Sequence, residues 1–376
     1  IRGGCMIGLK YCAAPNPSGY GEAGRNFITA LYISGVNLTT ELVSQMADEA
    51  DYGWRGSLIR LLEGRQIDYK IKIIHLTPDL YPRYMEQGKY NIGHLFWETD
   101  RLPKEWINPC NQINEIWTLS EQQAEMIRTS GVTTPIKYFP QPIDISWTDT
   151  NFSGFKIPNF DGMVFYSIFQ WIERKNPRVL LETFWKTFEG IKDVCLVLKT
   201  YRVNYSEKEF EVLKSEIKRW KFQLGLKEYP KVWLVKKLLN TQEQFRLHKS
   251  GDVLVSTSRG EGNGIPMVEA SLTGNPFISI DKTGITDILP RDLYYPIPCN
   301  LVPVTQVHWI PWYQEGQKWY DIDTKQLSQQ MLDVYHNRVE VKERGKNAQE
   351  WVKENLNYHK IGKLMKDRLD EIERFL

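Results

Sequence analysis

The sequence predicts an α/β protein made of two doubly wound domains. Three observations carry this. Short apolar strands alternate with amphipathic helices along nearly the whole chain, the pattern of parallel sheets covered by helices on both faces. The alternation stops once, over residues 140–162, a stretch rich in Pro and Asp without helical period, and then restarts. A length of 376 residues suits two domains better than one.

In the first half, residues 6–13 read as a buried strand and 22–34 as a helix. Glu41 falls in a stretch read as helical. Strands follow at 69–76, carried by Ile71, Ile73 and Ile74, and at 90–96 and 115–119. Ser120 then caps a helix, and 136–139 is the next strand. In the second half, 163–169 is a strand, 177–188 a helix, and 194–199 a strand closed by Lys199. Ser206-x-x-Glu209 is a capping box opening a helix to residue 224. Strand 231–235, helix 241–249, strand 252–256 and helix 266–272 follow. Helices 323–335, 339–354 and 360–375 end the chain. Domain boundaries fall at 6–145 and 160–357.

Composition excludes several classes. The chain is 41% hydrophobic and 25% charged, which is globular rather than disordered. Lys and Arg number 48 against 46 Asp and Glu, a net charge of +2. A nucleic-acid partner would call for a stronger basic excess, whereas a small phosphate-bearing ligand needs only one or two cations. No apolar run approaches the roughly 20 residues of a membrane span. The opening Ile1-Arg2-Gly3-Gly4-Cys5 lacks the features of a secretory signal. Five cysteines without CxxC spacing argue against a disulfide framework and a zinc site, and a cytoplasmic location is expected. The 13 Trp and 19 Tyr, dense over 309–320, allow either a large aromatic core or sugar stacking.

The sharpest motif is Arg259-Gly260-Glu261-Gly262-Asn263-Gly264-Ile265-Pro266-Met267-Val268-Glu269, between a strand and a helix. Pro266 suits a first helical turn, and Gly274 is placed to end the helix. Gly262, Asn263, Gly264 and Ile265 can aim backbone N–H groups ahead of a helix N-terminus, which attracts phosphate. Glu261 and Glu269 can each accept two hydroxyls of a diol. A plain glycine turn with a dipole-stabilising Glu explains the same residues. Trp171-Ile172-Glu173-Arg174-Lys175-Asn176-Pro177 also joins a strand to a helix. Its Arg174 and Lys175 suit a diphosphate, or are solvated surface charge. Lys199 points toward the same strand ends or snorkels. Gly19-Tyr20-Gly21-Glu22-Ala23-Gly24 is a literal GxGxxG, but four residues and two prolines separate it from its strand. A glycine-rich loop overhanging a ligand fits better than a dinucleotide site. His94 ends a strand beside Glu98, as a core residue or facing a ligand. Asp321-Ile322-Asp323 reads as a helix cap rather than a metal motif.

Together these residues resemble the retaining glycosyltransferases of the GT-B fold, family 4 (glycosyl transferases group 1). The resemblance rests on Glu261 and Glu269 as an E-x7-E element and on the Arg174–Pro177 run. Residues 93–103, 115–120 and 140–144 add to it, in the family's order. It implies two Rossmann-like domains facing a central cleft, with helix 358–376 returning to the first. It further implies Glu269 at the ribose of a nucleotide sugar and Glu261 at the hexose. The amides of Gly262–Ile265 would lie at sugar or phosphate, Lys175 at the diphosphate, and His94 near the hexose. Gly19 and Gly21 would line the cleft. The family's usual Gly-Arg pair is Ile168-Phe169 here, so Arg174 or Lys199 is expected to replace that Arg.

The implied activity is hexosyl transfer from a nucleotide diphosphate sugar to a hydroxyl acceptor. It is expected to be retaining, with no metal and no cofactor beyond the donor. The acceptor is expected to be a carbohydrate or glycolipid. Residues 207–237, with nine basic against five acidic residues, could rest peripherally on an anionic membrane or form a solvated face. Base recognition is expected near 236–239. Competing readings are a nucleotide-sugar epimerase or hydrolase, an NAD-dependent oxidoreductase using the GxGxxG, and a carbohydrate-binding protein using residues 309–320.

Overall fold

The structure, a computed structural model, describes residues 8–43, 53–150, 152–282, 284–305 and 310–376. Met6, part of the first predicted strand, and Trp309, part of the aromatic stretch, lie outside the described residues. The chain divides into two units: residues up to Ile145 together with Lys353–Leu376, and Ser146–Val352.

The first unit runs β1 (Gly8–Ala13), α1 (Gly19–Ile33), β2 (Asn37–Leu42), α2 (Gly53–Leu62), β3 (Ile71–His75), α3 (Tyr81–Tyr84), β4 (Tyr90–His94), α4 (Lys104–Asn111), β5 (Glu115–Thr118), α5 (Glu121–Thr129) and β6 (Ile136–Tyr138). Its sheet is parallel, in the order β2-β1-β3-β4-β5-β6. Order reverses between β1 and β3, so these two carboxyl ends form its switch point.

The second unit runs β7 (Met163–Gln170), α6 (Pro177–Thr187), β8 (Val194–Tyr201), α7 (Glu207–Leu224), β9 (Lys231–Val235), α8 (Thr241–His248), β10 (Val253–Val255), α9 (Ile265–Leu272), β11 (Phe277–Ile280) and β12 (Tyr295–Ile297). A hairpin, β13 (Cys299–Pro303) and β14 (Lys318–Ile322), precedes α10 (Thr324–His336) and α11 (Arg338–Asn355). The sheet is parallel, in the order β12-β11-β10-β7-β8-β9, with its switch point between β7 and β10.

The last helix, α12 (Tyr358–Glu373), packs on α1 in the first unit. Gly362 permits this approach: a Cβ there would lie 2.2 Å from the Ala30 carbonyl oxygen. Arg368 grips the fully buried Glu115 through Nε (3.1 Å) and Nη2 (2.5 Å). Tyr358 donates to Asn26 Oδ1 at 2.7 Å.

Several expectations change. Glu41 lies in strand β2, not in a helix. The β-branched Thr39 and Thr40 favour an extended chain, and the Glu41 carboxylate meets Lys72 at 2.6 Å. Gly19 and Gly21 open α1 instead of forming a loop. Ser18 caps the helix by accepting from the Gly21 N–H, three residues before the expected start. Strand β8 continues past Lys199 to Tyr201. Half the box forms at Ser206: its hydroxyl accepts from Glu209 N–H, but its own N–H goes to Asn204. The complete box is at Asn240 and Glu243.

Candidate functional site

The second unit's switch point gathers the motif residues. The chain leaves β7 through the 3-10 turn Glu173–Lys175 and leaves β10 through residues 256–264. The two segments are stitched together. Arg259 N–H donates to the Arg174 carbonyl at 2.7 Å, and the Thr257 hydroxyl lies 3.1 Å from the carbonyls of both Lys175 and Asn176. Asn176 holds a left-handed φ of 55° and donates to Asp321 at 3.1 Å. Asp321 also takes Arg259 Nε at 3.2 Å, and the Arg259 guanidinium reaches the Glu173 carboxylate as well. The backbone carrying Arg174 and Lys175 is thus held from both sides.

At the centre lies an ion cluster. Lys175 Nζ is 2.5 Å from Glu261 Oε1. Arg174 Nη1 is 3.7 Å from Glu261 Oε2 and donates to the Gly260 carbonyl. Burial pushes the Glu261 carboxyl up, but the Lys175 and Arg174 charges, with hydrogen bonds from Lys175 and Ser258, outweigh it and hold it below the usual carboxylate range. Two cations thus flank this carboxylate beside a pocket. Lys175, Glu261, Ser256, Ser258, Phe169 and Met267 help to line it.

The glycine turn finishes the site. Gly264 caps α9 at φ 75°, and Gly262 and Asn263 are buried just before it. Ile265 and Pro266 begin the eight-residue helix, whose N-terminus carries partial positive charge. Gly284, absent from the sequence reading, packs against this turn at φ 59°. A Cβ there would lie 2.9 Å from Glu261 Cβ. Glu269, one turn into α9, gives its Oε2 to Gln244 Nε2 (3.0 Å) and His248 Nε2 (3.2 Å).

Lys199 sits inside β8, nearly buried. Its ammonium donates to Tyr205 at 2.5 Å and lies over the rings of Tyr201 and Tyr205. Burial lowers its pKa to about 8, with the Glu269 charge acting partly against the fall. In the 236–239 loop, Lys236 pairs with Glu207 and Lys237 with Glu243.

His94, Gly19 and Gly21 belong to the first unit. His94 ends β4 and is fully buried. The Tyr11 hydroxyl bonds Nδ1 of both His94 (3.1 Å) and His75 (2.8 Å). Burial lowers the His94 pKa to about 3, so the ring is neutral at physiological pH. Gly21 sits against the Asn16 carbonyl, where a Cβ would lie at 2.1 Å. Tyr20, between the glycines, donates to the carbonyls of Leu76 and His94. Tyr11 and His75 gave no sequence signal, because single rings in apolar strands read as core.

Asp323 caps α10 by accepting from Lys325 and Gln326 N–H, while Asp321 serves the Arg259 clasp. Among the described residues no group of three or more His, Cys, Asp or Glu side chains is placed to hold a metal. Of the aromatic stretch, Tyr313 and Trp319 are buried against each other. No described helix is long and apolar enough to cross a membrane.

No family model and no curated protein sequence matches the chain. Solved structures do. Sucrose-phosphate synthase from Thermosynechococcus elongatus aligns at TM-score 0.69 and 12% identity, over 99% of this chain and 100% of that one. Anabaena HepE, solved with UDP-glucose, aligns at TM-score 0.68 and 12% identity, over 97% of this chain and 100% of its own. S. aureus TarM, in a complex with UDP, aligns at TM-score 0.58 and 17% identity. That match covers 80% of this chain and 55% of TarM, so the chain spans little more than half of TarM's length. Such identities carry the architecture: this chain has the GT-B fold, two Rossmann-like α/β units with six-stranded parallel sheets.

Proposed function

We propose that the protein is a glycosyltransferase that moves a hexosyl unit from a nucleoside diphosphate sugar to a hydroxyl acceptor. One observation carries the reading. The second unit's switch point brings Lys175, Arg174, Glu261 and the glycine turn before α9 together beside one pocket. The similar structures with bound UDP or UDP-glucose support a nucleotide sugar as donor.

The chemistry follows from where charge develops. The anomeric C–O bond breaks, and its electron pair leaves with the diphosphate. Lys175, Arg174 and the α9 N-terminus stabilise that charge, so no metal is required. The acceptor oxygen bonds the anomeric carbon, and its proton passes to the departing phosphate oxygen. That route uses the face the leaving group vacates and retains configuration. It needs no side-chain base. Glu261, held ionised by its two cations, accepts hydroxyls of the hexose, and Glu269 those of the ribose. A glycolipid acceptor would bring the enzyme to a membrane, where the exposed Lys218 and Arg219 of α7 could meet anionic lipid. Sedimentation with anionic vesicles at low salt tests that contact.

The direct test is thermal stabilisation by UDP, GDP, ADP and NAD in the presence of EDTA. Stabilisation by one nucleoside diphosphate is expected. Stabilisation by NAD alone would overturn the reading and return the GxGxxG as the ligand site.

A further inference from the structure

A buried hydrogen-bond chain stands behind Glu269, and its direction can be read without placing a proton by assumption. It starts at a main-chain carbonyl, which can only accept. Asn275 Nδ2 donates to the His248 carbonyl at 2.5 Å, and this fixes which side-chain atom of Asn275 is nitrogen. The same Nδ2 lies 3.2 Å from the Tyr166 oxygen, so Tyr166 accepts there. The single Tyr166 proton is then free to go to His248 Nδ1, 2.9 Å away. With Nδ1 accepting, Nε2 carries the imidazole proton and donates to Glu269 Oε2 at 3.2 Å.

The parts have little freedom. His248 is fully buried and Tyr166 is 1% exposed. The Tyr166 ring lies over Gly251, where a Cβ would fall 2.1 Å from its Cδ1. Gln244 is one turn before His248 on α8, so both reach the same side of α9. Gln244 Nε2 adds a second donor to Oε2 at 3.0 Å. Two donors therefore converge on one carboxylate oxygen. Oε1 makes no hydrogen bond among the described residues and remains available to a ligand.

We propose that Gln244 and His248 are positioning residues that hold the Glu269 carboxylate for the ribose hydroxyls of a nucleoside diphosphate, with Tyr166 and Asn275 setting the His248 tautomer. The proposal rests on the donor-binding reading above and deepens it. The chain turns a flexible Glu side chain into a fixed acceptor, so ordering it costs nothing when nucleotide arrives. It makes the site selective for ribose over deoxyribose.

The test is calorimetric titration of the full chain with UDP, GDP, ADP and their 2′-deoxy counterparts. Wild type should prefer the ribonucleotide about tenfold or more, the size expected for a hydrogen bond to a charged group. His248→Phe keeps the ring but not the donor, and should reduce the preference to about twofold, with 2′-deoxy affinity, which keeps only the 3′-hydroxyl contact, falling less than ribonucleotide affinity. The 2′-deoxy affinity that remains is also the folding control. His248→Gln places an amide N–H within reach of the same oxygen and should restore most of the preference. Tyr166→Phe should weaken it by releasing the tautomer. Gln244→Leu, at a half-buried helix position that tolerates the change, should weaken it severalfold. An undiminished preference in His248→Phe and Gln244→Leu would overturn the proposal. If Glu269→Gln also keeps the full preference, the ribose assignment itself fails. If wild type binds no nucleoside diphosphate, the donor reading fails and takes this proposal with it.

Discussion

At the scale of single residues, two lysines carry separable predictions. Lys175 is the cation closest to Glu261, and the backbone that holds it is clasped by Arg259 and Asp321. In the proposed reaction it meets charge that grows on the leaving diphosphate. Removing one preorganised donor of this kind costs about a hundredfold to a thousandfold in turnover. Lys175→Ala should lose that much in kcat, and near wild-type turnover would contradict its role. Lys199 is tested by pH. Burial has lowered its pKa to about 8, so raising the pH from 7 to 9 discharges it. If its charge helps to bind diphosphate, affinity should fall over that interval, by up to about tenfold per pH unit above the pKa. Lys199→Met should bind more weakly at pH 7 and show a flatter profile. A wild-type affinity that does not change from pH 7 to 9 would remove Lys199 from the diphosphate site.

At the scale of elements, the site is two strand-to-helix turns locked together, and Gly284 is the contact most sensitive to size. Its φ of 59° already disfavours a side chain, and an added Cβ would meet Glu261 Cβ and the Asn263 backbone. Gly284→Ala should cost about 1–3 kcal/mol of strain. It should also raise the donor KM by displacing Glu261, and an unchanged KM would show that the turn relaxes elsewhere. Gly284 illustrates what the sequence did not reveal. Arg174, Lys175, Glu261 and Gly264 were legible because strand, turn chemistry and charge coincide within a few residues. Gly284 acts across a loop, and His248 acts from a neighbouring helix; neither leaves a local pattern. Helices with clear caps, such as those begun by Ser120 and Asp323, were also legible. β2 was not, because Asn37–Leu42 carries polar residues on a strand with only one neighbour, β1. The GxGxxG was read as a loop but opens α1, because glycines at the start of a helix spell the same letters as glycines in a loop.

At the scale of the whole molecule, the chain passes from the first unit into the second and then returns through α12. The first unit's core is therefore completed by α12, with Ile361, Met365, Leu369 and Ile372 packed in its apolar cluster. One ion pair secures that return. Glu115 is fully buried, and among the described residues the Arg368 fork is the one cation paired with it, with Tyr90 and Trp117 adding neutral hydrogen bonds. Arg368→Ala leaves a buried carboxylate without charge compensation, which typically costs about 3–5 kcal/mol. The neutral donors place the expected loss near the lower end, about 3 kcal/mol, or about 6–12 °C in melting temperature for a unit of this size. Amide exchange should quicken in α1, β5 and α12, which share that core. Arg368→Ala combined with Glu115→Gln should recover much of the loss, since the orphaned charge is gone while the amide oxygen can still accept from Trp117 and the amide N–H can donate to the Tyr90 hydroxyl. A single variant as stable as wild type, or a double variant no better than the single, would mean that apolar packing alone closes the unit and that the ion pair is incidental.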